Sequence, residues 1–183
     1  MKLVEIKQKV KNALDKLYDK DIFLFAPFGN NDKSLCERCI NHRFAMYLEQ
    51  QNFGEGYFVD CEYNKSHLDG ITSTKKVFNI NGNYIDVIIT KRDGNYLNDL
   101  FCFEVKKYNN YNDRDKDRNN LKILTGGSDY KNNGGFEYDY GFYIIFGKTK
   151  EETKIEIYKN GEKCEEGEYN LFQQDLNKFD SRI

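Results

Sequence analysis

Proline occurs once in this chain, tryptophan never and histidine twice, among 183 residues. The scarcity of proline and tryptophan accompanies an abundance of Lys, Asn, Ile and Tyr. That bias follows the base composition of a genome as readily as it follows function. The histidines are more informative. His67 stands alone, and no Ser/His/Asp or Cys/His arrangement accompanies either histidine. No apolar run approaches the ~20 residues of a membrane-spanning helix. The first 18 residues are charged and periodic, without the continuous apolar stretch of a signal peptide. Neither sign of charge dominates: 28 Lys and Arg face 30 Asp and Glu, a net charge of −2. This excludes a simple polycation that coats nucleic acid, but not an enzyme with local basic patches and a local acidic site. The five cysteines, Cys36, Cys39, Cys61, Cys102 and Cys164, are odd in number and scattered. They suit a reducing cytoplasm better than a disulfide framework, with most serving as small core side chains. Gly126-Gly127 and Gly134-Gly135 lack the lysine and spacing of a phosphate-binding loop.

What remains is a chain of ordinary single-domain size, 39% hydrophobic and 15% aromatic, able to bury roughly 70% of its unfolded surface. No internal repeat or linker divides residues 1–183. Leu3, Ile6, Val10, Ala13, Leu14 and Leu17 recur at helical spacing, predicting a helix over 2–19. A short apolar run, 22–25, ends at Ala26-Pro27, and a polar loop follows. A second helix is expected over 34–51, where Ser34-Leu35-Cys36-Glu37 has the S-x-x-E spacing of a capping box. Strands are expected at 57–63, 76–80, 84–90 and 100–106, with Asn81-Gly82 as a tight turn. The polar stretch 108–120 leads into a short helix ending near Leu124. Two strands, 140–146 and 154–158, come next, and the tail from Leu171 has the character of a last helix. Helices, then strands, then helix and strand imply an α/β sandwich on one mixed sheet flanked by helices.

Two of these strands carry an anomaly. Ile85-Asp86-Val87-Ile88-Ile89 is apolar except for one aspartate, in a pattern normally buried on both faces of a sheet. Leu100-Phe101-Cys102-Phe103-Glu104-Val105-Lys106 repeats the feature. Alternation puts Cys102, Glu104 and Lys106 on one face, and Phe101, Phe103 and Val105 on the other. An ionised carboxylate in such a strand costs several kcal/mol unless something compensates it. Two convergent carboxylates make a hard-oxygen site suited to Mg²⁺, with waters and phosphate as further ligands. A nearby ammonium orients a water and stabilises charge developing on phosphorus. That chemistry is phosphodiester hydrolysis.

At Asp86 and the Glu104-Val105-Lys106 triplet the chain resembles the PD-(D/E)XK nuclease superfamily, with its restriction-endonuclease-like αβββαβ fold. The resemblance covers residues 34 to 147, with the helix 2–19 outside it. It implies a divalent ion, Mg²⁺ or Mn²⁺, bound by Asp86, Glu104 and the Val105 carbonyl, with Lys106 supporting the attacking water. It also implies a nuclease acting on nucleic acid, DNA before RNA; the cytoplasmic location rests on the cysteines. Such enzymes often add an acid from the preceding helix, for which Glu37 is the candidate. Ile85 stands where the motif's name has proline, a position that varies in the superfamily.

Competing readings stand beside these. Asp86, Glu104 and Lys106 also suit a structural ion-pair cluster, or a catalytically inactive module of the same fold that binds nucleic acid or a protein partner. No DNA-reading module is recognisable, so sequence specificity falls to loops or a partner; a homodimer is compatible with the sequence. Glu37 fits the capping box, yet Phe44 and Leu48 fall within about 20° of it on the helix wheel, aiming it along the apolar face. Arg114, Arg118 and Lys122 form a basic stripe placed for phosphates. The interleaved Asp113, Asp115 and Asp117 favour an ordinary solvated face. Asp60 and Glu62 share a strand face, as an exposed edge or as a supplement to the metal site. Cys36-x-x-Cys39 with His42 has the flavour of zinc ligation, but no second pair completes it.

Overall fold

The computed structural model describes residues 1–25, 36–63, 85–91, 100–126 and 138–164, with backbone alone at 63, 65–68 and 71–74. Helix α1, Leu3–Asp21, is followed by a 3₁₀ turn, Ile22–Leu24, and by α2, Glu37–Glu49. Strands β1, Phe58–Tyr63, β2, Lys65–Leu68, β3, Ile71–Thr74, β4, Ile85–Thr90, and β5, Phe101–Lys107, lead to α3, Arg114–Leu124. Then come β6, Tyr140–Phe146, a 3₁₀ turn, Lys150–Glu152, β7, Lys154–Lys159, and β8, Glu162–Lys163.

Among the described residues six strands form one mixed sheet in the order β1-β4-β5-β6-β7-β8, while β2 and β3 pair as a separate ribbon. β1, β4 and β5 run antiparallel in sequence, β5 and β6 are parallel, and β7 and β8 return antiparallel. A parallel pair needs a crossover, and α3 supplies it. The periodic residues of α1, Ile6, Val10, Ala13, Leu14 and Leu17, are all fully buried. They join Ile40, Phe44 and Leu48 of α2 against Val87, Phe103, Val105 and Phe142 on one sheet face. Asp21 at the end of α1 accepts from Arg43 Nε and Tyr47 Oη, each at 2.7 Å, tying the two helices together. On the opposite face Leu121, Ile123 and Leu124 of α3 cover Ile88, Cys102, Tyr143 and Ile145. The result is an α/β chain with helices on both sides of a mixed sheet.

Gly141 sets how closely α3 lies on this second face. A β-carbon there would meet Leu121 Cδ2 at 3.1 Å and Thr125 Cγ2 at 3.2 Å. The missing side chain lets the helix settle onto β6.

Several boundaries move. The second helix begins at Glu37, with Cys36 as its N-cap and no side-chain capping bond. Glu37 is therefore the first helical residue, not the third, and the capping box does not describe it. The third helix starts at Arg114, earlier than its polar composition suggests, because Asp117, Asn120, Leu121 and Leu124 already form its buried stripe. The β2–β3 ribbon was not expected, since its short strands carry no clear alternation. The expected strand 76–80, the Asn81-Gly82 turn, the glycine-rich loop beyond Gly126 and the C-terminal helix lie outside the described residues, as does Ser34.

Phe103 is fully buried, stacked on Phe142 at 5.0 Å and met edge-on by Phe44 at 5.8 Å. Phe103→Ala should cost about 3–5 kcal/mol of unfolding free energy. Chemical denaturation measures this, and a loss below about 1 kcal/mol would contradict the packing.

Candidate functional site

Register explains why the anomalous carboxylates meet. β4 and β5 pair Val87 with Phe103 and Ile88 with Cys102. Continuing that register sets Asp86 opposite Glu104. β1 pairs Cys61 with Val87 and Tyr63 with Ile85, which sets Glu62 opposite Asp86. Glu104 in turn pairs with Tyr143 of β6, and Tyr143 with Glu156 of β7. A transverse row of acidic and phenolic residues thus crosses five strands.

One end of this row and its centre are treated differently. Glu156 is almost fully buried, yet Arg118 Nε reaches its two carboxylate oxygens at 3.0 and 3.2 Å, and Arg118 Nη2 reaches one at 2.9 Å. The Tyr158 hydroxyl adds a bond at 2.7 Å. Burial alone would raise the Glu156 pKa, but these partners hold it below its ordinary value. The aspartate and glutamate at the centre lack such compensation. Glu104 is buried, accepts from Asn120 Nδ2 at 3.4 Å, and bonds to Asp86. Burial, then the charges of Asp86 and Asp117, push Glu104 well above the usual carboxylate range. Asp86 accepts from the Val105 amide at 2.9 Å, and burial still raises it to about 6. Glu104 therefore keeps a proton where an ordinary carboxyl has lost one, and donates it to Asp86.

Lys106, on the same face as Glu104, has its ammonium 2.9 Å from Asp117 Oδ2 and 3.7 Å from Glu37 Oε1. Burial alone would lower its pKa. The Asp117 bond and the charges of Asp117, Glu37 and Asp86 outweigh that and hold the lysine above its ordinary value. It stays an ammonium at neutral pH.

Glu37 arrives from the opposite side of the sheet, at the first turn of α2. Its Oε2 accepts from the Lys107 amide at 2.9 Å and from Asn110 Nδ2 at 3.1 Å. The helix wheel's indication that Glu37 aims toward the sheet is thus met, and its bonds lie at the end of β5, not at its own helix start. With Arg38, Asn41, Glu62 and Asp86 it lines an open cleft of about 390 Å³. Glu62, in a left-handed conformation with φ of 48°, pairs with Arg38 at 2.8 Å. The field there is negative: burial, followed by Asp60, Glu62 and Asp86, raises the Cys61 thiol to about 11.

Asp86, Glu104, Lys106 and Glu37 are therefore brought to one place. Sequence reasoning missed Asp117 and Asn120. Asp117 is buried against Lys106 and is not part of a solvated face. Its spacing to Asn120, Leu121 and Leu124 was the available signal. The basic stripe is engaged within the chain: Arg118 with Glu156, Arg114 with the Tyr108 and Asn110 carbonyls, and Lys122 with Glu162 at 3.8 Å. Among the described residues Cys36 and Cys39 acquire no further metal ligands.

The donor set suits a hard divalent cation, which the facing acids would replace their shared proton to hold. Asn41 is buried on the same cleft, and its Oδ1 has no hydrogen-bond partner. Among the described residues no three His, Cys, Asp or Glu side chains form a ready-made cage. A backbone carbonyl, waters or substrate must complete the coordination. No protein-family model, curated protein or solved structure matches this chain.

Raised carboxyl pKa values stabilise the fold at low pH and lose that contribution as pH rises through the folded-state value. In the presence of a chelator, melting temperature should fall from about pH 4 upward through 6, as Asp86 ionises. Glu104→Gln should flatten this fall and raise the melting temperature at neutral pH. Glu156→Gln should lower it, because the lowered pKa of Glu156 marks a favourable charge whose loss weakens the Arg118 pair. Thermal denaturation across pH reads both, and shifts of the same sign would contradict the contrast.

Proposed function

We propose that this chain is a Mg²⁺-dependent nuclease of the PD-(D/E)XK type, hydrolysing phosphodiester bonds, with DNA as the substrate the resemblance implies. The observation that carries the reading is the placement of Asp86 and Glu104 opposite each other on adjacent strands, with the Lys106 ammonium held beside them by Asp117. The order α2-β1-β4-β5-α3-β6 supports it. Apart from the inserted β2–β3 ribbon, it follows the αβββαβ succession of the restriction-endonuclease-like core. The absence of a helix long and apolar enough to cross a membrane among the described residues is compatible with it.

Asp86, Glu104 and the Val105 carbonyl would hold the ion, Mg²⁺ or Mn²⁺, which when bound activates water and polarises the phosphoryl oxygen. The chain's own residues prepare that site. The Val105 amide and Asn120 fix the two carboxyl groups in place. Asp117 and Glu37 keep Lys106 protonated. Lys106 therefore acts as a fixed positive charge that orients water and stabilises charge on phosphorus, and not as a base. Glu37 bonds the Lys107 amide and so anchors the end of β5 that carries Lys106.

Linear, circular, single-stranded and double-stranded DNA, incubated with the purified protein and Mg²⁺ or Mn²⁺, tests the reading. Cleavage is expected, with loss on chelation. Asp86→Ala and Glu104→Ala should abolish it while leaving the fold intact. Lys106→Ala should lower the rate by roughly 10²–10³-fold, the range for removing one fixed stabilising group, with metal affinity preserved. Full activity in either carboxylate variant would refute the site. Binding of nucleic acid without cleavage by the wild type would instead identify a non-catalytic module.

A further inference from the structure

The Cys36-x-x-Cys39 pair remains unexplained by the acidic centre. The Sγ atoms lie 3.2 Å apart, in contact across the first turn of α2. Cys36 is the N-cap of that helix and is exposed, while Cys39, three residues on, is half-buried. The Cys39 amide donates to the Cys36 carbonyl at 3.1 Å, and the amides of this first turn, at the positive end of the helix, lie beside the Cys36 sulfur. The side-chain contact with Cys39, followed by these amides, lowers the Cys36 thiol below its ordinary value and raises that of its neighbour. The buried ammonium of Lys107 lies within electrostatic reach.

The other cysteines differ. Cys102 is buried. Cys61, half-buried, sits against the Asn41 carbonyl at 3.9 Å, and its thiol is raised by burial and acidic neighbours. Two thiols in contact, one an exposed N-cap and the other placed to follow it, make a division of labour that packing does not require. Glu37 and Arg38, which line the acidic cleft, lie between them.

We propose that Cys36 and Cys39 are a redox-active dithiol that reacts with low-molecular-weight disulfides, Cys36 attacking and Cys39 resolving. The Cys36 thiolate forms a bond to one sulfur of the disulfide RSSR, whose S–S bond breaks to release RS⁻, which takes up a proton. Cys39, losing its proton, then attacks the Cys36 sulfur of the mixed disulfide. The Cys36–Cys39 bond forms and a second RSH leaves. The protein loses two electrons and two protons, and RSSR becomes two RSH. This inference does not rest on the nuclease reading, and its test uses no nucleic acid.

The test is incubation of the full chain with oxidised glutathione, followed by mass spectrometry of the intact protein and of its peptides without reduction. The wild type should lose two hydrogens and yield a peptide linking Cys36 to Cys39. Cys39→Ser should stop at a stable glutathione adduct on Cys36. Cys36→Ser should form any adduct at Cys39 about tenfold more slowly or worse, because the favoured thiolate is gone. Equal rates in the two variants would overturn the proposal. Preferential adducts at Cys61 or Cys164, or no Cys36–Cys39 linkage in the wild type, would overturn it too.

Discussion

Asp86 and Glu104 stand opposite each other on two antiparallel strands that are otherwise apolar from Ile85 to Ile89 and from Phe101 to Val105. The sheet register leaves neither a neighbour of opposite charge at that level. Two carboxylates so placed cannot both ionise without large cost, so they share a proton. Glu156, at the far end of the same row, shows what packing does with a buried acid when only stability is at stake. Arg118 grips both its oxygens and keeps it ionised. The central pair has no such direct grip: Asp86 has the Val105 amide and the charge of Lys106, and burial still prevails.

The rest of the architecture makes that pair tenable. α3 closes on the sheet over the side-chain-free surface of Gly141, bringing Asn120 to Glu104 and Asp117 to Lys106. From the opposite face α2 lends Arg38 and Asn41 to the cleft beside Asp86, and its first residue, Glu37, grips the end of β5 through the Lys107 amide. Lys106 is thereby bracketed by acids from two helices. A lysine held this way is a permanent charge, and that decides which half of the proposed chemistry it can perform.

The apolar strands made much of this visible in the amino-acid sequence. A lone aspartate among Ile and Val, and a Glu-Val-Lys ending on alternating Phe and Cys, told both the strand positions and the face each side chain would take. The helix wheel likewise aimed Glu37 at the sheet. The capping box misled because a serine three positions ahead of a glutamate is compatible with two helix starts, and the chain uses the later one. Asp117 was hidden by its surroundings: flanked by Asp113, Asp115, Arg114 and Arg118, it has the composition of a solvated face. Only the three-dimensional position of Lys106 makes a buried aspartate there affordable. Register across strands distant in sequence, such as that aligning Glu62, Asp86 and Glu104, has no local signature at all.

Under the proposed function, the Asp86–Glu104 proton stands where a divalent cation would bind. Titration calorimetry with Mn²⁺ near pH 7, repeated in two buffers of different ionisation enthalpy, counts the protons displaced. Release of about one proton per ion bound is expected for the wild type, since the ligands must be deprotonated. Cation binding without proton release, or no binding at all, would contradict the account.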